Sequence, residues 1–164
     1  MAVHPNVALL TGFYNAFNAR DGDAMATAYT TDATFSDPVF VRLTGPEVGA
    51  MWQMLCGRAT DLKVKVTDIE ADAFEGIAHW EAWYTFVKTG RPVHNVIDAT
   101  FEFRDGRIAA HVDRFSFWRW SRQALGASGL LLGWTPIIQG AVRRQARAGL
   151  DKFLSARERV PGTH

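Results

Sequence analysis

Three side chains in this sequence have the types and spacing for acid/base work. His111 and Asp113 stand two residues apart in Ile108–Trp118, a segment that reads as a strand. Strand alternation puts both on one face with Phe115 and Phe117. Asp37 stands immediately before Pro38, where a short strand from Asp32 runs into a turn. A carboxyl in an apolar mouth loses hydration, its pKa rises, and it becomes a competent base for a proton α to a carbonyl. Asp before Pro also serves as a turn cap, and the two roles can coexist. An inward Asp–His pair among Phe side chains is costly unless satisfied or used. The other reading is a buried structural pair, or a salt bridge from Asp113 to an arginine.

Other chemistry-bearing residues offer less. His79 and His94 lie on strands without a spaced carboxylate partner, so no metal site is expected. Cys56 ends a helix near Arg58 and reads as a buried structural thiol. No glycine-rich phosphate loop occurs, and no cofactor is implied. A single cysteine cannot form an internal disulfide, which points to a reducing, cytoplasmic setting. The N-terminus shows no signal-peptide pattern. The longest apolar run, Leu130–Ile138, is broken by Gly133 and Pro136 and is far short of the roughly 20 residues that span a bilayer.

The elements that must position these groups follow from periodicity. Pro5 opens a helix with Val7, Leu10, Tyr14 and Phe17 at 3.6 spacing. Asp23 suits the cap of a second helix, Ala24–Tyr29. Thr44-Gly45-Pro46-Glu47 starts a third, with Val48, Met51, Trp52 and Leu55 on one face. After Thr60 the period becomes 2. Strands are predicted over Leu62–Val66, Ile77–Lys88, Val93–Phe103 and Ile108–Trp118, with turns at Thr89–Pro92 and Arg104-Asp105-Gly106-Arg107. In Val93–Phe103, Ile97, Ala99, Phe101 and Phe103 form the apolar face with Asn95, and Asp98 turns outward. Helices first and hairpin-linked strands after them argue α+β, an antiparallel sheet with helices on one face. From Pro136 a basic helix is predicted to run to about Arg159.

The chain has 164 residues, enough for one domain; 48% are hydrophobic and 12% aromatic, which excludes a disordered chain. The net charge of +1 conceals a split. Residues 1–118 hold 10 basic against 15 acidic groups, and residues 119–164 hold 8 against 2. An acidic body therefore carries a basic tail.

Three stretches, Phe13–Asp21, Thr31–Pro38 and Phe101–Ile108, resemble the nuclear transport factor 2-like superfamily, and within it the SnoaL-like polyketide cyclases and ketosteroid isomerases. The resemblance covers about Val7 to Trp118. It implies a cone: a curved antiparallel sheet wrapped around N-terminal helices, leaving an apolar pocket at one end. That gives a cone domain over residues 1–120 and an added segment over 121–164. The family's pocket-facing positions fall on His111, Asp113 and Phe115, and its catalytic-base position falls on Asp37. Asp113 matches the region of the cyclases' acid/base aspartate. The implied catalytic set is Asp113, Asp37 and His111, with Phe13, Tyr14, Phe35, Trp52, Tyr84, Asn95 and Phe115 lining the pocket.

The sequence also departs from parts of the family. Phe13 stands where the isomerases keep their oxyanion-hole tyrosine, and Tyr14 lies about 100° around the helix. Steroid isomerisation is therefore not expected. Asn95 and Ile97 stand where an epoxide hydrolase would need Arg and Asp. The expected activity is cofactor-free acid/base chemistry (isomerisation, cyclisation or dehydration) on a hydrophobic carbonyl-bearing ligand. A non-catalytic binding module of the same fold is the alternative.

Water would not be left against Leu130–Trp134 in a soluble protein, so this run is expected to lid the cone, cover the sheet or pack on a second subunit. The arginines after it read as a solvated face complementing the acidic body. A homodimer is expected, with no nucleic-acid and no membrane partner.

Overall fold

The structure, a computed structural model, describes residues 2–159. The chain begins with α1 (Pro5–Asn18) and α2 (Gly22–Thr27), then β1 (Tyr29–Ser36), β2 (Leu43–Thr44) and α3 (Pro46–Arg58). Four longer strands follow: β3 (Lys63–Ala71), β4 (Glu75–Phe86), β5 (Arg91–Arg104) and β6 (Arg107–Arg114). The chain ends in α4 (Phe117–Leu125), α5 (Ala127–Leu132) and α6 (Pro136–Glu158).

The strands form one six-stranded curved sheet in the order β2-β1-β6-β5-β4-β3. Its pairs are antiparallel except β1–β6, which run parallel, so the sheet is mixed rather than wholly antiparallel. The parallel pair is possible because α3 and four strands intervene, giving the chain room to cross over. It sets Phe35 opposite His111 and Ser36 opposite Val112, which brings the Asp37 turn to the Asp113 end of β6.

Local chemistry explains the element ends. Asp105 and Gly106 both take positive φ, 52° and 73°, as a two-residue hairpin turn requires. The alternation in β5 is as the sequence predicts: Ile97, Ala99, Phe101 and Phe103 are buried, and Asp98 and Glu102 are exposed. Strand ends shift, most of all in β3, which runs on to Ala71 past the predicted Val66, and two other boundaries move for a visible local reason. The α2 cap is Asp21, whose carboxylate accepts from the Ala24 amide, so Asp23 lies inside the helix and Tyr29 starts β1. The last strand stops at Arg114, because Ser116 accepts from the Arg119 amide and starts α4; Phe117 and Trp118 are helical.

Glycines shape the tail. A Cβ on Gly129 or Gly133 would stand 1.9 or 2.0 Å from Ser121 atoms, so α5 folds directly onto α4 only because these positions lack side chains. α6 packs along α3 within the same chain. Its Leu150 is fully buried in the main core, and Arg147 pairs with Glu47 of α3.

Candidate functional site

Residues from α3, β4, β5, β6, α4 and α6 enclose an apolar cavity of about 490 Å³. Asp113 and Asp37 both border it. Trp52, Tyr84, Asn95 and Phe115 are on its wall, whereas Phe13, Tyr14 and Phe35 are not; those three are buried in the core behind it. Phe13 and Phe35 instead pack edge-on against His111, with ring centroids at 6.0 and 5.0 Å.

Asp113 is buried at the end of a directional chain of hydrogen bonds. The Trp52 indole donates to the Tyr29 hydroxyl at 2.8 Å, and that hydroxyl lies 2.8 Å from His111 Nδ1. His111 Nε2 lies 2.8 Å from Asp113 Oδ1, which also accepts from the Trp80 indole at 3.4 Å. One proton order satisfies every member. Tyr29 accepts from Trp52 and donates to Nδ1, and Nε2–H donates to Asp113 Oδ1. His111 is enclosed by aromatic rings and does not border the cavity; it reaches the cavity wall only through its contact with Asp113. Asp113 Oδ2 has no hydrogen-bond partner among the described residues.

Asp37 is held differently. Its Oδ1 accepts from the amides of Val39 and Phe40, at 2.7 and 2.6 Å, closing the turn around Pro38. The residue is half-buried and borders the cavity. Burial pushes its pKa up to about 7, and the Asp113 charge adds to the rise against the pull of the two amides. The turn-cap and pocket roles coexist in one side chain.

Two neutral polar groups share the wall. The Tyr84 hydroxyl accepts from the Trp120 indole at 2.8 Å, which leaves its own proton without an acceptor among the described residues. Burial pushes its pKa up to about 12, with a smaller contribution from Asp37. The Asn95 amide likewise has no side-chain hydrogen bond among the described residues and faces the cavity. Arg58 and Lys88 stand at the rim.

The remaining candidates are elsewhere. His79 Nδ1 contacts Asp98 at 2.8 Å and His94 Nε2 contacts Glu81 at 2.9 Å, both on the outer face of the sheet. Asp98 thus points away from the cavity. Cys56 is buried beside Met25, and burial pushes its thiol up to about 11, the opposite of a nucleophile's needs. No group of three or more metal-ligating side chains occurs among the described residues. Tyr29, Trp80 and Trp120 escape the sequence reading, because each acts through a partner distant in the chain. The one available signal was the burial alternation of β1, and a bulge between Tyr29 and Thr34 interrupts it.

A family model described as a SnoaL-like domain matches residues 10–111. No curated protein matches the sequence significantly. Among solved structures, an epoxide hydrolase of the LEH-like type from M. tuberculosis is 22% identical with a TM-score of 0.62, over 78% of this chain and 96% of that one. A protein described as a polyketide cyclase from Xanthomonas campestris is 21% identical with a TM-score of 0.61, over 73% and 96%. A ketosteroid isomerase-like protein from Catenulispora acidiphila, in complex with trimethylamine, is 17% identical with a TM-score of 0.63, over 78% and 97%. These similarities establish a shared fold.

Proposed function

Because this chain belongs to the SnoaL-like domain family, we propose that its cavity performs cofactor-free acid/base chemistry on a hydrophobic, carbonyl-bearing small molecule. The observation that carries the reading is that Asp37 and Asp113 open onto one apolar cavity while held in unlike ways. Asp113, fixed as an acceptor by His111 and Trp80, is the base. Its free Oδ2 takes a proton from the carbon next to the carbonyl. The Tyr84 hydroxyl and the Asn95 amide donate to the carbonyl oxygen as enolate charge develops there. Asp37, with a pKa of about 7, carries a proton at neutral pH for a large share of the time. It returns that proton to carbon in an isomerisation or to a departing hydroxyl in a dehydration; in a ring closure it goes to the accepting carbonyl oxygen. In each case one carboxylate gains the proton that the other gives up. His111 and Tyr29 are positioning residues.

A ligand found by thermal-shift screening of hydrophobic ketones and enones supplies the test. Asp113→Asn is expected to keep binding and to lose turnover by on the order of 10²-fold, the usual contribution of a positioned general base. Undiminished turnover in that variant overturns the assignment. A ligand that binds the wild type and is returned chemically unchanged, at every pH tried, favours the binding-module reading. For the assembly we propose a homodimer through the sheet. Light scattering that reports a monomer at micromolar concentration would remove it.

A further inference from the structure

The tail has a surface for which neither the fold nor the cavity gives a reason. Leu130 is 52% exposed, Leu131 68%, Leu132 50%, Trp134 67% and Ile137 79%. Within the single chain, therefore, nothing covers this apolar run. Trp118 joins it: its indole N–H donates to the Leu130 carbonyl at 3.1 Å, tying α4 to α5. The Trp134 indole N–H donates to the Leu131 carbonyl, also at 3.1 Å. Both indoles have thus satisfied their polar atom on backbone, which leaves their rings as apolar surface.

The charge around this patch has one sign. Residues 114–150 contain six arginines and no acidic residue. Arg122 stacks over the Trp118 ring, 4.9 Å from its centroid. Arg144 is two turns of α6 beyond Ile137, hence on the same face. Arg119, Arg122 and Arg144 have no carboxylate within ion-pairing distance among the described residues, whereas Arg147 is engaged by Glu47 and Asp151.

We propose that α5 and the start of α6 form an interfacial docking element for anionic lipid bilayers, with Leu130–Leu132, Trp134 and Ile137 entering the headgroup boundary and Arg122 and Arg144 meeting lipid phosphates. Shape favours this occupant over a protein. Leu130, Leu131 and Leu132 are consecutive in a helix, so their side chains fan out at 100° intervals. A flat protein face cannot cover all three together, and a fluid boundary that closes around a protruding turn can. Charge disfavours a symmetric second copy, in which each arginine-flanked patch would meet its own likeness with no carboxylate from residues 114–150 to offset it. No helix among the described residues is long and apolar enough to cross a membrane, and interfacial docking needs none. The proposal revises the expectation of no membrane partner. It also puts the patch next to the cavity's own walls, since Trp120 and Leu125 of α4 and Val142 and Ala146 of α6 line it.

Co-sedimentation of the full chain with vesicles is the test, comparing pure phosphatidylcholine with a mixture containing one-third phosphatidylglycerol. Binding to the anionic vesicles is expected, weakening in high salt. Leu131→Asp should reduce it roughly tenfold or more, by setting a charge among lipid headgroups and acyl chains. Arg122→Gln combined with Arg144→Gln should remove the preference for anionic lipid. These side chains are exposed, so unchanged circular dichroism and thermal midpoint are expected and serve as the folding control. Absence of binding to either vesicle overturns the proposal, as does full binding by Leu131→Asp. A concentration-dependent dimer that Leu131→Asp dissociates, without vesicle binding, identifies a second copy as the occupant and equally overturns it. Docking and turnover are read separately: Leu131→Asp should bind cavity ligands in solution as the wild type does.

Discussion

The molecule contains the same pair twice. His111 and Asp113 meet at 2.8 Å, and so do His79 and Asp98, on opposite faces of one sheet. The inner pair has side chains 0% and 3% exposed; the outer pair 34% and 78%. The contact distance alone does not distinguish them. Outside, water solvates both partners whether or not they touch, so the contact contributes little. Inside, each partner is the other's replacement for water, and removing one leaves the other unsatisfied in a low-dielectric core. Tyr29 and Trp52 extend that dependence by two more side chains. A His–Asp pair therefore becomes a device for aiming a carboxylate only where the surroundings allow it no alternative.

Substitutions can break this contrast at several depths. His111→Ala should be the most damaging, costing about 3–5 kcal/mol by leaving Asp113 with only the long Trp80 bond. Denaturant unfolding measures it, and a cost near that of His79→Ala would abolish the distinction between the inner and outer pairs. Tyr29→Phe removes one oxygen, leaving the Trp52 N–H without an acceptor and His111 Nδ1 without a donor. About 1–3 kcal/mol should be lost. The ¹⁵N chemical shifts of the His111 ring should change with it, since Tyr29 fixes which nitrogen is protonated.

Asp37→Asn should show a pH-dependent effect. The folded protein holds the Asp37 pKa near 7, above the usual carboxylate range, so the folded state binds the proton more tightly than the unfolded one. That contribution is complete below about pH 4 and is lost as pH rises through about 7. The variant, which cannot ionise, should match the wild type near pH 4 and exceed it near pH 8. Because Asp37 is only half-buried, the gain should be ~1 kcal/mol, seen as a higher thermal midpoint at the higher pH only. His79→Ala should be smallest, within about 0.5 kcal/mol of the wild type at any pH.

How far the sequence foretells this site depends on the range over which each residue acts. The facing of Asn95, Ile97, Ala99 and Asp98 follows from period-two alternation alone, because burial on one face of a strand is a local constraint. The shared face of His111 and Asp113 follows in the same way. Asp37 is marked by its proline. The roles of Tyr29 and Trp52 are not legible, since Tyr29 reaches across 82 residues to His111 and Trp52 reaches back 23 to Tyr29. Phe13, Tyr14 and Phe35 show the opposite error: aromatic and inward-facing, they fill the core behind the cavity, and composition cannot separate filler from wall. The exposure of Leu130–Leu132 in the single chain has a local cause: Gly129 and Gly133 direct α5 onto α4 by its glycine face and leave the leucines on the other.

Leu150 has a consequence for how the molecule is made. It is fully buried in the same cluster as Leu10, Phe13 and Val48, residues that leave the ribosome about a hundred positions earlier or more. During synthesis, α1 and α3 can form and the sheet can pair, yet their shared core stays open on one side until α6 emerges. Closing it joins ends separated by a long loop, which is slow relative to local helix formation. The nascent protein therefore carries an incomplete core while α1, α3 and the whole sheet are synthesised, and α6 ends that exposure.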